Sequence, residues 1–168
     1  YLNDIIPEGE MIAELPVLGP FTHWRACPPN AQFISVLHKA KEAAQRINRI
    51  AELGIPPARW ALVRHPSAQI ARSVPIGPGT FVGPNAVIMP GAAIGEHSSL
   101  RPGCSVSHDT SLGNFTFVGP NVTLNGNCTI GDGVDLGPNT VIREETSIGD
   151  LSVIGMGSVV LEDVPDRV

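Results

Sequence analysis

Residues 112–141 have the sequence LGNFTF VGPNVT LNGNCT IGDGVD LGPNTV, in which an aliphatic residue opens every block of six. The same register runs outward in both directions, over residues 70–165, without a slip. The opening position is aliphatic in all sixteen blocks: Ile70, Ile76, Val82, Ile88, Ile94, Leu100, Val106, Leu112, Val118, Leu124, Ile130, Leu136, Ile142, Ile148, Ile154 and Val160. The fifth position is always small or β-branched. This period is typical of a parallel β-helix, in which each block supplies one short strand and one corner.

Three such blocks make a coil of 18 residues, so residues 18 apart stack on one corner of the predicted prism. The Pro corner is formed by residues 83–85, 101–103, 119–121, 137–139 and 155–157. Proline followed by glycine or asparagine is typical of a type II turn, because the residue after proline must take a positive φ. The acidic corner is formed by residues 77–79, 95–97, 113–115, 131–133 and 149–151. Glycine opens each of its turns, and we expect it to be a solvated edge.

The third corner, the histidine corner, is formed by residues 71–73, 89–91, 107–109, 125–127, 143–145 and 161–163. No glycine opens any of its turns, and it contains the neighbouring pair His108 and Asp109. A neutral imidazole beside a carboxylate suits general-base catalysis, because the acid fixes the tautomer and stabilises the imidazolium. Gly126 lies one coil on from His108, and we expect its backbone to be open to a ligand, with an N–H for an oxyanion. The alternative is a surface histidine without a role.

Residues 1–64 carry no repeat and are predicted to form a partial α/β, Rossmann-like unit ahead of a β-helix domain at 65–168. A buried strand is predicted at 33–37, a helix at 39–53 that ends at Gly54, and a second strand at 60–63. The apolar stripe of the helix indicates packing and not a ligand site.

Composition and charge exclude several other classes of protein. The net charge is −5, with 11 Lys and Arg that form no run, which argues against a nucleic-acid or membrane-surface partner. Cys104 and Cys128 fall on core positions and are predicted to be buried thiols, without a disulfide framework. His97 is predicted to be solvated on the acidic corner, and His65 to be structural. No signal-like start or long apolar run is present, so the expected location is cytoplasmic.

The segments VSHDTSLGNF (106–115) and NGNCTIG (125–131) resemble the bacterial nucleotide-sugar acetyltransferases. These include the sialic acid O-acetyltransferase-like group and the N-acetyltransferases of bacillosamine and perosamine synthesis. The resemblance covers nearly the whole chain, since residues 33–37, the helix after them and the segment VRHPSA (63–68) are similar to the second half of that family's N-terminal sugar-nucleotide domain. Both ends of the family's domain are therefore expected to lie outside residues 1–168.

The resemblance implies a left-handed prism, a homotrimer, and acetyl-CoA bound as co-substrate in the groove between neighbouring prisms. It implies that His108, followed by Asp109, takes the proton from an amino or hydroxyl group of a sugar or nucleotide sugar. By motif match, the backbone of Gly126 contacts the thioester end, and Gly155 and Met156 are further coenzyme contacts. No metal is expected.

Two other functions use the same prism. A γ-type carbonic anhydrase needs three zinc-binding histidines across a trimer interface, and the few histidines of this chain fit that pattern poorly. A non-catalytic trimeric scaffold is disfavoured by the glycine-free opening of the histidine corner.

Overall fold

Short parallel strands stacked into a three-sided prism dominate the computed structural model, which describes residues 2–35 and 42–168. In chain order the strands are β1 (Met11–Ile12), β2 (Leu15–Pro16), β3 (Val63–Arg64), β4 (Gln69–Ile70), β5 (Phe81–Val82), β6 (Val87–Ile88), β7 (Ala93–Ile94), β8 (Ser99–Leu100), β9 (Ser105–Val106), β10 (Ser111–Leu112), β11 (Phe117–Val118), β12 (Thr123–Leu124), β13 (Thr129–Ile130), β14 (Asp135–Leu136), β15 (Val141–Ile142), β16 (Ser147–Ile148), β17 (Val153–Ile154) and β18 (Val159–Val160). β1 and β2 form a separate antiparallel pair.

Three parallel sheets form the sides of the prism. The first contains β3, β5, β8, β11, β14 and β17; the second contains β4, β6, β9, β12, β15 and β18; the third contains β7, β10, β13 and β16. Paired residues are 18 apart, so that Phe117 pairs with Ser99 on one side and with Asp135 on the other. The predicted coil length and the predicted left-handed parallel β-helix are confirmed.

The core of the prism is filled by the residues that open each block. Leu100, Leu124 and Leu136 are completely buried, and each such side chain contributes about 1.5–3 kcal/mol of burial free energy. Cys104 and Cys128 are buried in the same core, as predicted. Repetition of one packing arrangement in every coil therefore carries the stability of the fold.

The helix α1 (Ala43–Leu53) packs against the acidic corner of the prism. A β-carbon built on Gly133 would lie 3.3 Å from Cβ of Ala43 and 3.5 Å from Cδ1 of Ile47, so the apolar face of α1 covers this glycine. The guanidinium of Arg46 donates a hydrogen bond to the carbonyl of Phe115. The start predicted at residue 39 lies outside the described residues. The predicted end is confirmed, because Gly54 adopts φ 60° and terminates the helix.

The strands predicted in the N-terminal unit differ from those observed. Phe33 forms a parallel bridge with Trp60, and residues 36 and 37 lie outside the described residues. The strand predicted at 60–63 is instead β3, which pairs with β5. Of the predicted strand, Val63 therefore belongs to the first sheet of the prism, whereas Trp60 bridges Phe33 outside it.

The acidic corner is a solvated edge, as predicted, since Glu96, Asp132 and Asp150 are exposed, but its side-chain oxygens also bond to the backbone. Oδ1 of Asn114, Asp132 and Asp150 accepts a hydrogen bond from the backbone N–H of the corner residue one coil earlier, at 2.8, 2.6 and 2.7 Å respectively. A charged or amide oxygen that accepts a backbone N–H satisfies a donor that the turn leaves free. These side chains therefore tie successive coils together.

His97 was predicted to be solvated on this corner, but its ring is packed between two aromatic rings. Its ring lies between Trp60, with ring centroids 4.5 Å apart in an edge-to-face arrangement, and Phe115, stacked at 4.9 Å. Its Nδ1 is buried without a hydrogen-bond partner among the described residues. Burial lowers the pKa of His97, Glu96 raises it and Arg46 lowers it further. His97 is therefore a packing residue that joins the N-terminal segment to the prism.

Candidate active site

The histidine corner brings His108 and Asp109 into direct contact. Nδ1 of His108 lies 2.9 Å from Oδ2 of Asp109, and the two side chains remain 53% and 62% exposed. Consecutive side chains can meet here because Asp109 adopts a left-handed conformation, with φ 56°. A carboxylate only accepts hydrogen bonds, so Nδ1 donates to it and the neutral ring keeps Nε2 as its acceptor. Nε2 makes no hydrogen bond within residues 2–35 and 42–168.

The structure places Gly126 directly against the imidazole ring. A β-carbon built on Gly126 would lie 2.6 Å from Cε1 and 2.7 Å from Nε2 of His108. The His108 ring fills the space above the α-carbon of Gly126, whereas the backbone N–H of Gly126 makes no hydrogen bond within the described residues. His108, Asp109 and Gly126 form one contiguous group at the prism surface.

Backbone hydrogen bonds hold the successive turns of the histidine corner in register. The amide of Asp109 donates to the carbonyl of Pro90 at 3.3 Å, and the amide of Asn127 donates to the carbonyl of His108 at 3.1 Å. The same pattern continues with the amide of Glu145 and the carbonyl of Gly126, at 3.0 Å. His108 is therefore carried on a corner that is hydrogen-bonded to the coils on both sides.

Gly91 is a residue of this site that the sequence reasoning missed. A β-carbon on Gly91 would lie 2.2 Å from Oδ1 of Asp109, so the carboxylate occupies the space that the glycine leaves free. The signal was present in the sequence, because Gly91 precedes Asp109 by one 18-residue coil on the same corner.

Gly155 and Met156 lie on a different corner from His108. They belong to the last turn of the Pro corner, across the second sheet from the histidine corner. Met156 is 79% exposed. A β-carbon built on Gly155 would have only Oγ of Ser158 within 4 Å, at 3.6 Å. The structure therefore does not bring these two predicted coenzyme contacts together with His108 within one chain.

Two further nucleophilic side chains, Cys104 and Cys128, lie in the core. Burial raises the pKa of the Cys104 thiol to about 12 and also raises that of Cys128, which lies in the core behind the histidine corner. In the described part of the chain, no group of three or more His, Cys, Asp or Glu side chains could hold a metal ion. No helix there has both the length and the apolar character needed to span a membrane.

Comparison with known proteins agrees with this geometry. The family model described as "Bacterial transferase hexapeptide (six repeats)" matches residues 76–108 and 109–144, which include His108 and Gly126. Among solved structures, the acetyltransferase domain of PglB from Neisseria gonorrhoeae, in complex with acetyl coenzyme A, superposes with a TM-score of 0.83. It is 27% identical, and the match covers 97% of this chain and 78% of that one. The hexapeptide-repeat part of the chain matches this transferase family, and the chain is an acyltransferase similar to these proteins.

Two further structures are similar to this acyltransferase. PerB from Caulobacter crescentus, in complex with CoA and GDP-perosamine, is 26% identical with a TM-score of 0.81, and the match covers 94% of this chain and 75% of that one. WeeI from Acinetobacter baumannii is 22% identical with a TM-score of 0.81, covers 96% and 77% of the two chains, and supports the fold alone. A search of curated proteins finds no match.

Proposed function

We propose that this acyltransferase moves an acetyl group from acetyl-CoA to an amino or hydroxyl group of a nucleotide sugar, with His108 as the general base. The observation that carries the proposal is the contact between Nδ1 of His108 and Oδ2 of Asp109 on an exposed corner of the prism, at 2.9 Å. The similar PglB domain and PerB were solved with acetyl coenzyme A and with CoA plus GDP-perosamine, which supports the donor and the acceptor class.

The proposed chemistry uses the two nitrogens of the imidazole differently. Nε2 of His108 takes the proton from the acceptor nitrogen or oxygen as that atom attacks the thioester carbon. Asp109 holds the ring in the tautomer with the proton on Nδ1 and stabilises the imidazolium that forms. The backbone N–H of Gly126 is proposed to meet the oxyanion of the tetrahedral intermediate. Collapse of the intermediate expels the CoA thiolate, which takes the proton back from the imidazolium.

The coenzyme is proposed to lie between two prisms of a homotrimer. His108 and Met156 occupy different corners of one chain, so a single ligand that touches both needs a second prism beside the first. The second sheet between these corners exposes apolar side chains, with Val87 38% and Val159 65% exposed, which supports coverage by a neighbouring copy. Sedimentation of a trimer at micromolar concentration is expected, and a monomer would contradict this part of the proposal.

Residues 1–64 are proposed to be part of a sugar-nucleotide domain, with 65–168 as the acyltransferase domain, and the enzyme is proposed to act in the cytoplasm. α1 is fixed to the prism through Arg46 and the carbonyl of Phe115, so the N-terminal segment has a defined position from which to present an acceptor.

The direct test is the substitution His108→Ala, with CoA release measured against acetyl-CoA and a panel of UDP- and GDP-linked amino sugars that includes GDP-perosamine. Loss of a general base is expected to lower kcat by roughly 10²–10⁴-fold. The melting temperature should change little, because the side chain is 53% exposed.

The matched control is His65→Ala. His65 is also an exposed histidine of the prism, and its Nδ1 is bonded to Oγ of Ser67 at 2.8 Å. This variant is expected to keep the activity of the unmodified enzyme. Full activity of His108→Ala, or an equal loss in both variants, would contradict the assignment of His108 as the base.

A further inference from the structure

Gly126 occupies a position at which the backbone does not require glycine. The second residue of each turn in the histidine corner is Arg72, Pro90, His108, Gly126, Glu144 or Glu162. Five of these six residues carry a side chain, and the φ of Gly126 is not positive. A side chain at this position would therefore cause no backbone strain. The glycine needs another explanation.

The explanation lies in the space above its α-carbon. The imidazole of His108 rises from the coil below and fills the site where a side chain of residue 126 would begin, with Cε1 and Nε2 at 2.6 and 2.7 Å from an ideal β-carbon. Real β-carbons essentially never approach another atom within 3.0 Å, so any other residue would displace the ring. Gly126 is buried although it lies on an exposed corner, because the ring covers it.

We propose that Gly126 is a positioning residue whose missing side chain forms a seat for the His108 imidazole. The seat holds the ring in one orientation. In this orientation Nδ1 of His108 is hydrogen-bonded to Asp109, and Nε2 lies beside the backbone of residue 126. This role rests on the proposed function of His108, and it is separate from any contact between the Gly126 backbone and the thioester.

Comparison with Gly91, the other glycine of the site, explains why a substitution of Gly126 tests the seat more directly. Gly91 leaves space for Oδ1 of Asp109, but its φ is 79°, so the turn alone would already select glycine there. At Gly126 the φ is not positive, and the three atoms nearest to an ideal β-carbon all belong to the His108 imidazole. A methyl group at residue 126 therefore tests the seat without disturbing the turn.

The test is the variant Gly126→Ala, compared with the unmodified enzyme by crystallography, by calorimetric titration with CoA, and by steady-state kinetics with acetyl-CoA and GDP-perosamine. We expect the ring to rotate away and the contact between Nδ1 and Oδ2 to lengthen beyond hydrogen-bond distance. A displacement of about 1 Å is expected to lower kcat on the order of 10²-fold. The Kd of CoA and the melting temperature should stay close to those of the unmodified enzyme.

Glu162→Ala is the control, because it places alanine at the same corner position two coils further on and should leave the activity and the ring unchanged. The inference is overturned if the imidazole of Gly126→Ala keeps its place and its contact with Asp109, or if the loss of activity is a weaker affinity for CoA with kcat intact. The ring position is read from the crystal structure whatever the true acceptor is. Failure of the proposed function would appear separately, as full activity of His108→Ala.

Discussion

The acidic corner and the histidine corner are built on the same prism but use their polar side chains differently. In the acidic corner, Oδ1 of Asp132 and Oδ1 of Asp150 each accept a hydrogen bond from a backbone N–H of the coil before, so one oxygen of each carboxylate serves the fold. In the histidine corner, His108 and Asp109 bond to each other and remain more than half exposed. The fold uses polar groups of the acidic corner as hydrogen-bond acceptors, whereas those of the histidine corner stay accessible to a substrate.

Glycine placement differs between the two corners for the same physical reason. In the acidic corner glycine opens each turn, and a β-carbon on Gly131 would lie 2.3 Å from Oδ1 of Asp150. In the histidine corner the glycine stands one position later, at residue 126, where the obstructing group is the His108 ring. In both corners a residue of a neighbouring coil occupies the space where the side chain would begin: Asp150 beside Gly131, and the His108 imidazole beside Gly126.

The largest expected effect is on catalysis, from Asp109→Asn. Without the carboxylate the ring loses the partner that fixes its tautomer and stabilises the imidazolium, so kcat should fall on the order of 10²-fold or more. Stability should be nearly unchanged, because the Asp109 side chain is 62% exposed. Steady-state kinetics and thermal unfolding of the same preparation check both parts, and an unchanged kcat would exclude Asp109 from the site.

A smaller effect, on stability alone, is expected from Asp150→Ala in the acidic corner. The substitution leaves the N–H of Asp132, now bonded at 2.7 Å, without its acceptor, and should cost about 1 kcal/mol. Urea unfolding measures the change. Glu162→Ala is the control, since within the described residues Glu162 makes no hydrogen bond. Equal stability of the two variants would remove the structural role given to the acidic corner.

The prism could be predicted from sequence in detail, whereas its contacts with the N-terminal segment could not. Each core residue has the same surroundings in every coil, so a six-residue period fixes its burial. The pairing of Arg46 with the Phe115 carbonyl and the stack of Trp60, His97 and Phe115 occur once and leave no periodic signal. His108 was identifiable from its place beside Asp109, but the closeness of its ring to Gly126 depends on a side-chain rotamer.

The smallest expected effect is a pH dependence of stability that arises from His97. Burial lowers the pKa of His97 in the folded protein below its ordinary value of about 6.5, so below that pH the unfolded chain binds the proton more readily. The contribution of His97 to the free energy of unfolding is therefore fully present above about pH 6.5. It is lost as the pH falls through the pKa that His97 has in the folded protein. His97→Phe keeps a ring in the stack and removes the titration.

Urea unfolding at pH 7.5 and pH 5.5 compares His97→Phe with the unmodified protein. The variant should lose less stability between the two pH values, because its ring cannot be protonated. An identical loss would show that the buried imidazole does not contribute to acid sensitivity.

The central claim is that one corner of the prism serves the chemistry and the others serve the fold, and a matched pair of substitutions tests it most directly. Neither Gly126 nor Gly131 has a positive φ, so alanine strains neither backbone conformation, but at Gly131 its β-carbon would lie 2.8 Å from the backbone N of Asp150. Measurement of kcat and of the melting temperature for Gly126→Ala and Gly131→Ala should give opposite results. The first should lose activity and keep its melting temperature; the second should lose about 1–3 kcal/mol of stability and keep its kcat. The same response in both variants would contradict the distinction between the corners.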